Sequence, residues 1–137
     1  MQKGKPVGQT RGSGFQVGVR RTFPISIERA WDHLISTQGA KIWLGDISSI
    51  DFQKGQEYLT EEGISGEVRV VNQFVNIRLS WKKNDWVKPS TLQIRTIPKG
   101  SDKTTISIHQ ENLSDSMVRE EMKAHWENVL NRLSEII

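Results

Sequence analysis

The chain has 137 residues, of which 35% are hydrophobic and 26% charged, and its formal net charge at pH 7 is +3. This length and balance predict one globular domain and exclude a wholly disordered chain. The absence of cysteine excludes disulfides, thiol nucleophiles and cysteine-ligated metal centres.

The excess positive charge lies at the N-terminus. Residues 1–21 carry five basic groups and no acidic group, whereas the remaining 116 residues hold 14 basic and 16 acidic groups. A nucleic-acid binder is expected to spread its cations over a folded surface among stacking aromatics, so no nucleic-acid partner is predicted. The N-terminus lacks the apolar stretch of a signal peptide, and no run of about 18 apolar residues occurs. We therefore expect a cytoplasmic protein without membrane insertion.

Residues 1–14 are predicted to form a flexible basic arm rich in glycine. They hold four of the eleven glycines and too little apolar surface to offset the entropy of ordering. The stretch GSGFQVG precedes a predicted strand and is not followed by Lys-Ser/Thr, which favours a linker over a phosphate-binding loop. Residues 15–137 are predicted to form the folded domain.

The first folded elements are a strand and two short helices. Alternating apolar residues predict a strand over 15–23, and Pro24 ends it. Ser26 is a typical N-cap for a helix in IERAWDHLIS. The run AKIWLG predicts a second short helix that ends at Gly45, with Trp43 pointing inward.

The middle of the chain has a period of two, which predicts a series of antiparallel strands. Their predicted ranges are 47–52, 56–60, 64–71, 74–82, 91–97 and 104–110. The alternation places a set of apolar residues on one dry face, namely Val75, Ile77, Leu79, Trp81, Leu92, Ile94, Ile106 and Ile108. A sheet with one dry face needs a covering layer.

The C-terminal segment 114–137 predicts that cover. Apolar residues recur at helical spacing, namely at Val118, Met122, Trp126, Val129, Leu133 and Ile136. Ser114 or Asp115 can cap the helix, which at about 22 residues would be about 33 Å long.

Four sequence stretches carry a resemblance to a known family: RRTFPISIERAWDHLIS, the following WLG, the pattern W-x4-W-x2-PSTLQI, and the terminal EEMKAHWENVLNRL. Together they resemble the heat-shock-protein-90 ATPase activator homologue family within the START-like, or SRPBCC, superfamily, over residues 15–137. The resemblance implies an α+β helix-grip fold of the START/Bet v type. In that fold a curved antiparallel sheet wraps around the long C-terminal helix, two short helices follow the first strand, and an apolar cavity lies between helix and sheet.

Two tryptophans flank the charged sequence KKND. Trp81 ends the inward-facing set of its strand, and Trp86 lies in the following loop, where it can fold back over the same end of the sheet. In one interpretation both rings only anchor the hairpin. In the other they form the walls of a cavity entrance whose rim is KKND.

The predicted ligand-binding residues face the space between sheet and helix. The walls are Trp43, Leu79, Trp81, Ile94, Ile108, Met122 and Trp126, and His125 is a polar contact. A Met in a helical apolar stripe such as Met122 more often belongs to an ordinary core. No two histidines share the spacing of a helical metal pair, so we expect no metal, and no cofactor motif is present.

Three functions follow from these observations. The first is a binding domain for a small hydrophobic or amphipathic molecule. The second is a chaperone-interacting module, as the family name implies, although we expect a single domain without the separate N-terminal region of the eukaryotic activators. The third is a cyclase or hydrolase of the same superfamily, for which no nucleophile elbow or carboxylate pair is visible and no catalytic residue is predicted. The oligomeric state does not follow from the sequence.

Overall fold

A computed structural model of the chain describes residues 9–10 and 14–137. In chain order the described elements are β1 (Gln9–Thr10), β2 (Gly14–Phe23), α1 (Ile27–Ile35), α2 (Thr37–Trp43), β3 (Glu57–Leu59), β4 (Ser65–Asn72), β5 (Asn76–Trp81), β6 (Ser90–Pro98), β7 (Thr104–Leu113) and α3 (Ser116–Ile136). The predicted arm over residues 1–14 falls largely outside the described residues. Of that arm, β1 pairs with the start of β2.

The strands form one curved antiparallel sheet in the order β1-β2-β7-β6-β5-β4-β3 for the described residues. Helix α3 packs against β2, β7 and α2, and its buried side chains face the sheet. The predicted helix-grip fold is therefore confirmed. None of the helices in the described ranges is long and apolar enough to cross a membrane.

The two short helices are joined at Ser36, which ends α1 and begins α2. Its hydroxyl accepts a hydrogen bond from the backbone N–H of Gly39 at 3.0 Å and donates one to the carbonyl of His33 at 2.7 Å. This cap explains why α2 begins earlier than the predicted start of the second helix. At the start of α1, the hydroxyl of Ser26 accepts from the N–H of Arg29 at 3.3 Å, as expected.

The predicted strand over 47–52 is wrong, because this segment is irregular. Its apolar residues Ile47, Ile50 and Phe52 are only partly buried and pack against the edge of the core. Phe52 stacks on Trp43 with the ring centroids 5.5 Å apart. Ring packing, and not pairing with another strand, therefore holds this segment against the domain.

The predicted inward orientation of Val75 is also wrong, since its side chain is 51% exposed. Phe74 has a φ of +65°, and this left-handed conformation turns the chain just before β5 begins. The Phe74 ring meets the edge of Trp31 at 6.2 Å. The inward series therefore starts at Ile77 and continues through Leu79 to Trp81, all of which are buried.

Candidate functional site

The predicted wall residues all lie in the core between α3 and the sheet. Each is at most 1% exposed and belongs to one continuous hydrophobic cluster: Trp43, Leu79, Trp81, Ile94, Ile108, Met122 and Trp126. Trp43 has separate partners, because its indole N–H donates to the carbonyl of Leu34 at 2.8 Å and its ring stacks on Phe52. That these residues line a ligand cavity stays a prediction.

One end of this core carries an aromatic cluster, which we define as Trp81, Trp86, His125 and Trp126. The ring centroid of Trp81 lies 5.4 Å from Trp86, 5.6 Å from Trp126 and 5.9 Å from His125. His125 and Trp126 meet edge to face at 4.5 Å. Such tilted contacts are the favoured geometry for aromatic pairs. Trp81 is therefore enclosed by three rings.

The loop between β5 and β6 places Trp86 on this cluster. Trp81 is the last residue of β5 and pairs with Ser90, the first residue of β6. Within the loop, the backbone N–H of Trp86 donates to the carbonyl of Lys83 at 3.0 Å, which closes a turn. The turn folds the partly buried Trp86 back over Trp81, as expected from the sequence.

A buried chain of hydrogen bonds lies beside the cluster. The indole N–H of Trp126 donates to Oε1 of Gln110 at 2.7 Å, and Nε2 of Gln110 donates to the hydroxyl of Ser90 at 2.9 Å. The Ser90 hydroxyl in turn donates to the carbonyl of Trp81 at 2.6 Å. Gln110 is not among the site residues predicted from the sequence. Its position continues the inward series of Ile106 and Ile108, so a polar residue at an inward position was the available signal.

The indole N–H of Trp81 is the exception in this polar arrangement. Its side chain is fully buried, and Nε1 has no hydrogen-bond partner among the described residues. A buried N–H without a partner loses its hydration without replacement, which costs roughly 1–3 kcal/mol. Most buried polar groups in native structures are satisfied, so an orphan at the end of a core marks a candidate contact point.

Charged groups surround His125 on the outer side of the cluster. Burial lowers the pKa of His125 below its ordinary value of 6.5. The nearby cations Lys83 and Arg132 lower this pKa further, whereas the anions Glu121 and Glu62 act to raise it. Lys83 pairs with Glu121 at 2.6 Å, which ties the β5–β6 loop to α3. The lowered pKa of His125 favours the uncharged form of its imidazole.

A cleft of about 780 Å³ opens on the other side of Trp86. It lies between the β5–β6 loop and the turn from β7 to α3, and it is lined by residues 85–89, residues 112–114 and Gly14. Leu113 is the buried apolar residue among them. Trp86 is thus both a wall of the cleft and a direct neighbour of Trp81.

Two exposed apolar side chains lie in, or close in sequence to, the segments that line this cleft. Val87, in the loop, is 93% exposed, and Met117, in the first turn of α3, is 82% exposed. A separate cleft of about 610 Å³ is lined in part by Trp31, Ile35 and Ile50. No group of three His, Asp or Glu side chains in the described ranges is placed to hold a metal ion.

The chain matches one protein family and is similar in fold to several solved structures. The family described as "Activator of Hsp90 ATPase homolog 1-like protein" matches residues 24–137. No curated protein matches the chain in sequence.

Solved structures share the fold at low sequence identity. CalU16 from Micromonospora echinospora has a TM-score of 0.78 at 16% identity, with 91% of this chain and 76% of that chain covered. PFC0360w, an HSP90 activator from Plasmodium falciparum, has a TM-score of 0.77 at 19% identity, with 90% and 96% covered. Protein MLL2253 from Mesorhizobium loti has a TM-score of 0.73 at 17% identity, with 88% and 94% covered. At these identities the likeness concerns the fold.

Proposed function

Because the chain belongs to the family of Activator of Hsp90 ATPase homolog 1-like proteins, we propose that it binds a small amphipathic molecule in the cleft beside Trp86. This family comprises ligand-binding or Hsp90-activator-like domains. The observation that carries this proposal is the double role of Trp86, which walls the cleft and covers Trp81. The cleft volume of about 780 Å³ falls within the usual range of small-molecule sites.

The lining of the cleft matches an amphipathic ligand. Trp86, Val87 and Pro89 offer apolar surface, whereas Asp85 and Asn112 belong to its polar border. A partly buried indole provides a large contact area at a small cost in side-chain entropy. We therefore expect the apolar body of the ligand to lie against Trp86 and its polar groups to face solvent.

Movement of Trp86 would bring two of the predicted wall residues into contact with the ligand. Trp81 lies directly behind Trp86, and Trp126 lies behind Trp81. An outward swing of the β5–β6 loop would extend the cleft toward these two rings. His125, which contacts both of them, would then become a polar group at the inner end of the site.

The test is titration of the intact protein with three probes: flavanone, palmitate and anilinonaphthalene sulfonate. We expect saturable changes in tryptophan emission with at least one probe, together with NMR shifts of the Trp86 indole N–H and of the backbone at 112–114. Trp86→Ala is expected to weaken binding by at least about tenfold. Ile35→Ala, which trims an apolar residue of the other cleft, is the matched control and should leave the affinity unchanged. Absence of saturable binding for all three probes, or shifts confined to the other cleft, would contradict the proposal.

The second candidate function is interaction with a chaperone of the Hsp90 class. The exposure of Val87, in the cleft wall, and of Met117, in the first turn of α3, favours it, since burying exposed apolar side chains drives protein association. One protein of similar fold and length is an HSP90 activator. NMR titration with Hsp90 and an ATPase assay test this idea, and the double variant Val87→Ser, Met117→Ser should abolish the shifts. A double variant that keeps probe binding but loses Hsp90 binding would separate the two functions.

A further inference from the structure

We infer that the indole N–H of Trp81 is the hydrogen-bond donor for a neutral carbonyl oxygen on the ring system of the ligand. This inference rests on the proposed function and names the ligand chemistry: a flat apolar molecule that carries a keto group. Its basis is a fully buried donor with no partner among the described residues, one ring away from the 780 Å³ cleft.

The surroundings of Trp81 offer few internal alternatives to such a ligand. Two of the three rings that contact it are indoles, and an indole N–H is itself a donor and cannot accept. The Trp126 N–H is already engaged by Gln110. The third ring, His125, has an acceptor nitrogen when neutral, but it makes no hydrogen bond with Trp81.

A bound water is a poor substitute at this position. A buried water is typically held by about three hydrogen bonds. The aromatic cluster supplies the donor of Trp81 and the imidazole of His125, and its remaining surface is the apolar rings of Trp86 and Trp126. A ligand oxygen needs only the one donor, because the rest of the ligand packs against the rings.

The charges near the cluster favour a neutral oxygen over a carboxylate. Lys83, a cation close to His125, is already paired with Glu121 at 2.6 Å. The second anion near His125 is Glu62, whose carboxylate accepts a hydrogen bond from the N–H of Asp46 at 2.8 Å. An additional carboxylate buried in the cluster would lose its hydration, while Lys83 is already paired and the two anions oppose the attraction of Arg132, which is unfavourable.

Access to the donor requires displacement of Trp86. The Trp81 and Trp86 centroids are 5.4 Å apart in a tilted contact, which leaves no space for an oxygen atom between the rings. Trp86 lies in a loop and is only partly buried, so it is the ring of the cluster that can move at least cost. The ligand ring would take the place of Trp86 against Trp81 and bring its carbonyl to Nε1.

The experiment combines one change in the protein with one change in the ligand. In the intact chain, Trp81 is replaced by benzothienylalanine, which keeps the shape of the indole but has sulfur in place of the N–H. Flavanone is compared with flavan, which has the same rings without the carbonyl. We expect the replacement to weaken flavanone binding about fivefold to tenfold and to leave flavan binding within about twofold. In the unmodified protein, flavanone but not flavan should shift the Trp81 indole proton downfield.

The free protein provides an independent readout. Because the N–H has no partner in the described part of the chain, its removal should leave the urea midpoint unchanged or raise it. A lower midpoint together with unchanged flavanone affinity would mean that the N–H bonds within the protein, for example to His125, and the inference would be wrong. Equal losses of affinity for flavanone and flavan would overturn the inference as well.

If both ligands bind in a Trp86-dependent way but with affinities that the Trp81 replacement does not change, the proposed function stands and only this inference fails. If neither ligand binds, this inference is rejected, and the proposed function then depends on the other two probes.

Discussion

The indole N–H of Trp126 donates to Oε1 of Gln110 across the interface between α3 and β7, at 2.7 Å, with both side chains completely buried. The side-chain amide of Gln110 donates to the hydroxyl of Ser90, and this hydroxyl donates to the carbonyl of Trp81. Three strands and the long helix are thus joined by directional bonds inside an otherwise apolar core. A hydrogen bond fixes a position more narrowly than apolar contact does, so this network sets where α3 rests on the sheet.

Replacement of Gln110 by leucine should be strongly destabilising. The change leaves the Trp126 N–H without an acceptor and removes the donor to Ser90, and each orphaned buried group costs roughly 1–3 kcal/mol. We expect a loss of about 2–4 kcal/mol in the free energy of unfolding, measured by urea denaturation. Gln93→Leu is the control. Gln93 lies on β6 in a partly buried contact with Asn76, and its replacement should cost less than about 1 kcal/mol.

This hydrogen-bond network separates the features of the site that follow from the sequence from those that do not. Period-two spacing through Ile106 and Ile108 puts position 110 inside, and helical spacing puts Trp126 inside. Their mutual hydrogen bond depends on the height at which α3 crosses β7, which is a tertiary property. The spacing therefore indicates that both positions are buried, although Gln110 was not among the residues predicted inside, and it does not indicate that the two side chains bond to each other.

The two wrong predictions, the strand over 47–52 and the inward Val75, also arise because local spacing does not determine tertiary contacts. The 47–52 segment has apolar residues at strand-like spacing, but it pairs with no strand among the described residues, and Phe52 packs on Trp43 instead. The alternation of β5 predicts an inward Val75, but β5 begins only at Asn76, and the left-handed Phe74 turns the chain just before it. Periodicity reports burial averaged over a segment, and it cannot show where a turn interrupts the strand.

Gly66 is expected to be intolerant of any side chain. It lies in β4 beside β5, and a Cβ atom added there would be 1.9 Å from the carbonyl oxygen of Ser80, the residue before Trp81. Backbone cannot yield as a flexible side chain can, so Gly66→Ala should separate the two strands and lower stability by more than about 2 kcal/mol. Gly18→Ala is the matched control. Its Cβ would meet nothing closer than 3.6 Å, and we expect a change within about 1 kcal/mol in thermal unfolding.

His125 should make stability depend on pH below neutrality. Its pKa is lowered in the folded protein, chiefly by burial and then by Lys83 and Arg132, against the opposing effect of Glu121 and Glu62. Between the lowered pKa and the ordinary value of 6.5, the unfolded chain binds more protons at this site than the folded chain. The free energy of unfolding should therefore be constant with respect to this group above about pH 7 and fall as the pH drops below 6.5.

The check on this pH dependence is denaturation of the wild-type protein and His125→Phe at matched pH values between about 7.5 and 5. The variant keeps an aromatic ring against Trp81 and Trp126 but cannot be protonated. Its stability should decline less over this range than that of the wild-type protein. Parallel curves for the two proteins would show that His125 does not carry the effect.

The ion pair between Lys83 and Glu121 should control movement of the β5–β6 loop more than it controls stability. The two side chains are 33% and 57% exposed, and solvent screens pairs of this kind, so each typically contributes about 0–1 kcal/mol. Glu121→Gln should therefore change the free energy of unfolding by less than about 1 kcal/mol.

The ion pair nevertheless joins the loop that carries Trp86 to helix α3, and its loss removes a tether on the ring that covers Trp81. In stopped-flow fluorescence we expect Glu121→Gln to speed both association and dissociation of flavanone, and high salt to produce the same change in the wild-type protein. Glu120→Gln, on the adjacent helix position, is the control for the loss of one negative charge. Rates that respond equally to the two substitutions would assign the effect to net charge and would exclude the tether.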